Sequence, residues 1–496
     1  MKRSLLAAVL GCGLLISGCG DDENGFFGTP FVEPFLLEFV NAPGFGQPNV
    51  VLAASEVQFQ DANNQILPIS NIPITVSLAT NPTGATLSGT LVGDLINGSV
   101  VFNNLQLDRK GTFILRATSP GLNEALSTAI TIGGGVPNFP ALPNSEVAVG
   151  VNVLLMASGD FNGDGNLDLV GTNNNNANEI LLLLGDGTGQ FALQAPLAIG
   201  SAPNDIDVAD LNGDGNLDLV ATETDQDRLV VLLGNGNATF DAPVTQATGD
   251  RAQQLTIADF DGDGIPDVAN TNTIVGNPAN FTFNRGVGDG TFAPAVPFVL
   301  ASGSAQSAGA ICSGDFNGDG LLDVAVTDIV NNQVNLFAGN GSGGFAAPTS
   351  VASGAEFPRG IARGDFNSDG IDDVAVANRG PAADPANDSV RVLFGNISGT
   401  FTIGPDLTAG DRPNDPVVRD VNGDGRADIL VTNSGTNDIS IFLGNGDGTF
   451  GAAINQSSGG TAPVGLQLVD LNNDTLLDIA VGNNGTLEVS VFLQTQ

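Results

Sequence analysis

No histidine, tryptophan or tyrosine occurs in the 496 residues, and phenylalanine, present 28 times, is the only aromatic. Without an imidazole there is no histidine base and no His-ligated metal, and without tyrosine no phenolic acid, which removes most hydrolase chemistries. Lysine and arginine together number 15 against 54 aspartates and glutamates, for a formal net charge of −39. Nucleic-acid binding rests on clustered cations, so DNA and RNA are poor partners. Of three cysteines, Cys12 lies in an N-terminal apolar segment, Cys19 ends it, and Cys312 is alone. No intramolecular disulfide is therefore expected in a mature chain, and an exported protein of this size needs another staple.

Runs of helix formers at 3.6-residue spacing are lacking too, while 67 glycines, many Asn and Asp, and frequent Val, Ile, Leu and Thr favour short strands joined by tight turns. The expected class is all-β. With 42% hydrophobic and 14% charged residues, the chain is long enough to bury two folded domains.

Lys2 and Arg3 precede an apolar stretch from Leu5 to Ile16, too short for a permanent bilayer span and shaped like a secretory signal. The ending Ile16-Ser17-Gly18-Cys19 resembles the lipobox of bacterial lipoproteins. That resemblance implies an acylated Cys19 as first mature residue, residues 1–18 removed, and anchorage to a membrane. Residues 19–35 form an acidic tether. Gly20 after the cysteine is compatible with passage to an outer membrane, with the periplasmic or outer side left open.

One nine-residue pattern, DxNxDGxxD, recurs along the C-terminal two-thirds. The copies begin at Asp160, Asp210, Asp259, Asp315, Asp365, Asp420 and Asp470, separated by 50, 49, 56, 50, 55 and 50 residues. Oxygens at positions 1, 3 and 5 converge when such a loop curls around a hard cation. A backbone carbonyl at position 7 adds a donor and the carboxylate at position 9 closes the cage. In the first copy these are Asp160, Asn162, Asp164, Asn166 and Asp168, and in the second Asp210, Asn212, Asp214, Asn216 and Asp218. The third has Asp259, Asp261, Asp263, Ile265 and Asp267, and the fourth Asp315, Asn317, Asp319, Leu321 and Asp323. The fifth has Asp365, Asn367, Asp369, Ile371 and Asp373, and the sixth Asp420, Asn422, Asp424, Arg426 and Asp428. The seventh offers Asp470, Asn472, Asp474 and Asp478, but Thr475 replaces the turn glycine, so a weak or distorted site is expected there.

An all-oxygen, carboxylate-rich flexible loop suits calcium better than magnesium, and zinc would want His or Cys. Asp, Asn and Gly also build metal-free turns, but seven copies with carboxylates at positions 1, 5 and 9 weigh toward up to seven calcium ions. Each loop is followed by a short apolar run such as DLVGT or DVAVT rather than by a helix, which places the loops in β-hairpins.

A period near 50 with four strands per unit is the arithmetic of a β-propeller. Glycine turns such as GNGNATF and GNGDGTF deliver Phe240, Phe292, Phe345, Phe401 and Phe450 to strand starts, where they are expected to pack between blades. The last unit lacks a fourth strand, and Phe139–Gly150 looks like one, so the N-terminal strand is expected to close the ring. In the third unit Asn284 and Arg285 stand where others carry an apolar third strand. The loops and GxGxxF turns resemble FG-GAP/VCBS repeats, as in integrin alpha-subunit propellers and many exported bacterial proteins. The resemblance spans residues 139–496 and implies calcium loops between the first and second strands of each blade, serving mainly to rigidify it.

Residues 36–132 carry alternating strands without the loop motif and resemble bacterial Ig-like domains. A β-sandwich is expected there, with residues 133–138 as linker, rather than a degenerate eighth blade. The fold expected overall is thus a small Ig-like sandwich followed by a seven-bladed propeller. Calcium loops and glycine turns should share one face, and the other should carry the variable connections.

The leading functional expectation is a non-enzymatic surface module that binds an extracellular protein or glycan on the face opposite the calcium loops. The alternatives are a propeller enzyme like the polysaccharide lyases, or a lectin. A lyase needs a base beside its metal, and Lys110, Arg228, Arg285, Arg359, Arg379 and Arg412 are scattered along the chain without an evident acid partner. A lectin would lack Trp and Tyr for stacking.

Overall fold

The computed structural model describes residues 36–495, apart from 42–44, 47–51, 53, 62–63, 82–84, 108–110, 121, 133–135, 174–177, 202, 274–279, 304–307 and 381–387. The signal segment, Cys19, the tether, Lys110 and part of the linker lie outside the described residues. The described chain is all-β, with one three-residue 3-10 turn at Thr224–Gln226. No helix among the described residues is long and apolar enough to cross a membrane. Two compact units divide near Val136 and Pro137.

In the first unit, a sheet of Leu36–Asn41, Ser55–Gln60 and Ser99–Phe102 and a larger sheet around Pro73–Thr80 and Gly111–Thr118 enclose one core. Alternation sends Val57, Phe59 and Phe102 from one sheet and Ile74, Val76, Phe113 and Leu115 from the other into it.

The second unit holds seven antiparallel sheets, six of four strands and one with a short extra strand. The second sheet is representative, with Pro203–Ala209, Asp218–Glu223, Arg228–Leu232 and Val244–Ala247 paired in that order. Every second strand is buried along its whole length, because neighbouring sheets cover both of its faces. First strands pack beside first strands of the next sheet. Met156–Gly159 of the first sheet meets both Pro203–Ala209 of the second and Pro463–Val469 of the seventh, so the series closes on itself.

Closure is also covalently staggered. Ser145–Ala148 pairs with Glu488–Phe492 to supply the fourth strand of the seventh sheet, where the repeated pattern placed it. Pro140 O accepts from Gln456 Nε2 at 2.8 Å and Asn144 Oδ1 from the Leu493 N–H at 2.7 Å. The third sheet does have a third strand, Asn280–Asn284, and its unusual Asn284 is fully buried, donating to Asn270 Oδ1 at 3.1 Å.

Threonines near the ends of the second strands join neighbouring sheets. Thr222 Oγ1 donates to Gln253 O at 2.6 Å, Thr271 to Gly309 O at 2.7 Å and Thr432 to Val464 O at 2.9 Å. Buried hydroxyls thus stitch sheets that otherwise meet through apolar contact.

Candidate metal loops and the opposite mouth

All seven DxNxDG segments fall between the first and second strands of their sheets and fold alike. In the first, Asp160 Oδ1 accepts the Gly163 N–H at 2.7 Å and Oδ2 the Gly165 N–H at 2.8 Å. Asn162 Oδ1 accepts from Asp164, and Asp164 Oδ1 from Asn166, each at 2.8 Å. The second and third loops repeat the pattern around Asp210 and Asp259, and the fourth and fifth repeat its position-6 contact around Asp315 and Asp365. Backbone N–H groups therefore curl the chain around its own carboxylates and hold the side-chain oxygens at positions 1, 3 and 5 on one short arc.

Position 9 has a role the sequence did not display. Asp168, Asp218, Asp267, Asp323, Asp373, Asp428 and Asp478 are all fully buried. Each carboxylate takes the N–H of position 2 on one oxygen and, on the other, an N–H at the end of its own sheet's third strand, in the glycine turn for the first six sheets and at Gln494 for the seventh. Asp168 accepts from Phe161 and Gly185, both at 2.9 Å, and Asp478 from Leu471 at 2.9 Å and Gln494 at 2.8 Å. The same pair recurs at Asp218, Asp267, Asp323, Asp373 and Asp428. This side chain clamps the loop to the end of the third strand.

Burial, outweighing those hydrogen bonds, pushes the position-9 carboxyl up to about 6 in Asp168, Asp267, Asp323 and Asp478 and to about 7 in Asp373, with neighbouring loop carboxylates adding to the rise. Crowded like charges in an all-oxygen donor set are what a hard divalent cation relieves, so the residues fit calcium. In the third loop, carboxylate oxygens of Asp259, Asp261 and Asp267 lie within 4.8 Å of one another.

Two loops depart from the pattern. The third has Asp at position 3, and Arg285 pairs with both Asp261 and Asp263 there. The seventh, expected to be weak or distorted, keeps the hydrogen bonds of the other loops. Thr475 adopts φ +73° and its N–H still reaches Asp470 Oδ2 at 2.7 Å, so the loop keeps its shape and the strain sits in one residue. Position 4 also lies in the left-handed region, at Gly163 with φ +75°, Ser368 with +59° and Asn473 with +60°.

The glycine turns lie against the loops. At Gly236, φ is +66° and a Cβ would stand 2.2 Å from Asn216 Oδ1, so only glycine lets the position-7 side chain cover the turn. The turn phenylalanines pack across sheets, as expected. Phe161 of the first loop meets Phe240 of the second sheet at 6.1 Å, Phe316 meets Phe401 and Phe366 meets Phe450 both at 5.4 Å.

At the opposite end, where first strands begin and second strands end, a cavity of about 680 Å³ opens on the axis with lining residues from all seven sheets. Arg251, Arg359, Arg379 and Arg412 line it, so Arg359, Arg379 and Arg412 are not scattered but gathered. The other cations the sequence set beside them have partners: Arg228 pairs with Glu223, and Arg285 with the third loop. Inside, Gln254 Nε2 of the third sheet donates to Asp415 Oδ1 of the sixth at 3.2 Å, a bond between non-adjacent sheets that crosses the axis. Asp205 accepts the Leu255 N–H at 2.8 Å nearby. Enclosure pushes the Asp415 carboxyl up to about 6 and that of Asp205 well above the usual range.

Solved structures similar to this chain include BBS1N in complex with ARL6DN, soaked with lead, at TM-score 0.51 and 10% identity, covering 72% of this chain and 97% of that one. A functionally unknown protein from Desulfotomaculum acetoxidans aligns at TM-score 0.47 and 16% identity over 63% and 88%. A catalytically inactive virginiamycin B lyase from Staphylococcus aureus aligns at 0.47 and 15% over 70% and 98%. At these identities the likeness concerns fold alone. No curated protein sequence matches the chain. The FG-GAP-like repeat model matches residues 160–221, 210–269, 315–376, 365–431 and 420–481, together more than half of the chain, and its units follow the loop-bearing sheets. The chain belongs to the FG-GAP-like repeat family.

Proposed function

We propose that this is an exported, lipid-anchored surface protein in which a seven-bladed, calcium-stapled propeller presents a ligand-binding face and is preceded in the chain by an Ig-like sandwich. The observation that carries the calcium reading is the recurrence of one loop geometry, with the position-1 carboxylate wrapped by backbone N–H groups in six loops and the position-9 carboxylate buried in all seven. Bound calcium would supply charge neutralisation to these carboxylates and cross-link the first and second strands of each blade. The chain's own contribution is the preformed arc of oxygens and the buried clamp at position 9. Since the loops and glycine turns occupy one end, recognition falls to the other, where the connections vary and the axial cavity opens.

Lipidation at Cys19 would tether this module to a membrane and leave the propeller free to meet a protein or glycan, without catalysis. Metabolic labelling with a fatty-acid probe tests the anchor: label is expected on the wild-type chain and lost in Cys19→Ser. An array of glycans and surface proteins probed with the full chain tests recognition. Binding to none of them, with calcium or with chelator, would contradict the ligand-binding role.

A further inference from the structure

We propose that the axial mouth opposite the metal loops is a binding site for a sugar acid, its carboxylate held by Arg359, Arg379 and Arg412 and its hydroxyls by the amides around them. This rests on the reading of that face as the recognition surface and specifies what it takes.

Cations are scarce in this chain, and their distribution is uneven. From residue 137 onward there are ten arginines and no lysine. Arg228, Arg285, Arg363 and Arg391 form ion pairs on the flanks and at the loops. The four arginines of the mouth form none among the described residues, although the chain carries 54 carboxylates. Gathering unpaired guanidinium groups costs repulsion, and at Arg379 it is visible. Enclosure first, then Arg412 and Arg359, hold its guanidinium down to about 10, and the opposing pull of Asp388 and Asp411 is weaker than either arginine. It stays protonated at neutral pH, and an anion between the three groups would remove the conflict.

A polar cross-link lies within the mouth, where the Gln254–Asp415 bond joins the third and sixth sheets among the lining residues. The Arg359 charge acts on the Asp415 carboxyl and favours its ionised form. Around the wall stand the amides of Asn204, Gln253, Asn414 and Asn484. Gln253 Nε2 donates to Arg251 O and Asn414 Nδ2 to Pro463 O, both at 3.2 Å, and Asn484 Oδ1 accepts the Val153 N–H at 2.8 Å, so the first two offer a ligand their amide oxygens and Asn484 its NH2 group. Guanidinium forks match a flat carboxylate in bidentate fashion, and amides with a carboxyl among them match a body rich in hydroxyls. The cavity falls within the roughly 300–1,000 Å³ range of small-molecule sites. No aromatic platform lines it, so recognition is by hydrogen bonds and charge rather than by stacking.

Calorimetric titration of the full chain in saturating calcium, using glucuronate, glucose and citrate as probes, tests this. Glucuronate should bind at least about tenfold more tightly than glucose, with affinity falling as salt rises. Arg379→Gln should lose that binding, as should Arg359→Gln, whose exposed side chain makes misfolding an unsuitable explanation; Arg419→Gln, away from the cavity, should bind as wild type. Equal affinity for glucuronate and glucose, retention in both mouth variants, or no binding of glucuronate would overturn the proposal. Citrate binding as tightly as glucuronate would overturn the assignment of a sugar body. Failure here leaves the array and the calcium-dependent melting untouched, so the two readings fail separately.

Discussion

Thr475 concentrates the seventh loop's departure into a single φ. A β-branched residue at +73° costs on the order of 1–3 kcal/mol. Thr475→Gly should therefore raise the melting temperature by the equivalent of about 1 kcal/mol after the unfolded-state entropy of glycine is counted, and should tighten calcium binding at that loop; an unchanged titration would mean that the strain is not felt. Arg285 is a different case, since its guanidinium occupies the space between Asp261 and Asp263 that a cation would share. Arg285→Gln should lower stability in chelator and raise calcium affinity, read by a competition titration with a chromophoric chelator.

Protonation gives a third test at the same scale. The position-9 carboxyls of Asp168, Asp267, Asp323, Asp373 and Asp478 titrate near 6 to 7 in the folded chain against about 4 when unfolded. Between those values the folded state holds more protons, so without calcium stability should fall as pH rises from about 4 to 7. Calcium, which favours the ionised form, should reverse that slope. Denaturant melts at pH 4.5, 5.5 and 6.5, with chelator and with calcium, would check it.

Single elements carry two kinds of closure. Within a sheet, the position-9 aspartate ties the metal loop to the glycine turn by two buried hydrogen bonds. Asp168→Ala would strand the N–H groups of Phe161 and Gly185, at a cost of about 2–5 kcal/mol even in saturating calcium, measurable by urea unfolding. Between the ends of the chain, Ser145–Ala148 covers Glu488–Phe492. Excising residues 139–149 should expose that strand as an open edge, and light scattering should then show concentration-dependent association.

The loops and the closing strand were legible because each is written in contiguous residues repeated at a fixed spacing. Position 9 was legible as an acid but not as a clamp, since its partner N–H lies on a turn some 16 to 22 residues away and belongs to backbone that any residue type supplies. The mouth was not legible at all. Arg251 leads into the third sheet, Arg359 and Arg379 belong to the fifth and Arg412 leads into the sixth, and only closure of the series brings them to one axis. The same holds for Gln254 and Asp415, 161 residues apart and bonded across the centre.

Across the seven-sheet unit, two ends have separated roles: crowded carboxylates at one, and at the other arginines that form no ion pair among the described residues, joined by second strands buried along their whole length. The central claim is that calcium staples the sheets. At free calcium tenfold above the dissociation constant, each site stabilises the fold by about 1.4 kcal/mol and seven together by about 10 kcal/mol. The most direct measurement is the calorimetric melting of the full chain as free calcium is titrated upward from chelator through about 10⁻⁴ to 10⁻² M. The account predicts a transition that climbs steadily with calcium and drops again on adding chelator; a transition that stays where it is across that range would contradict it.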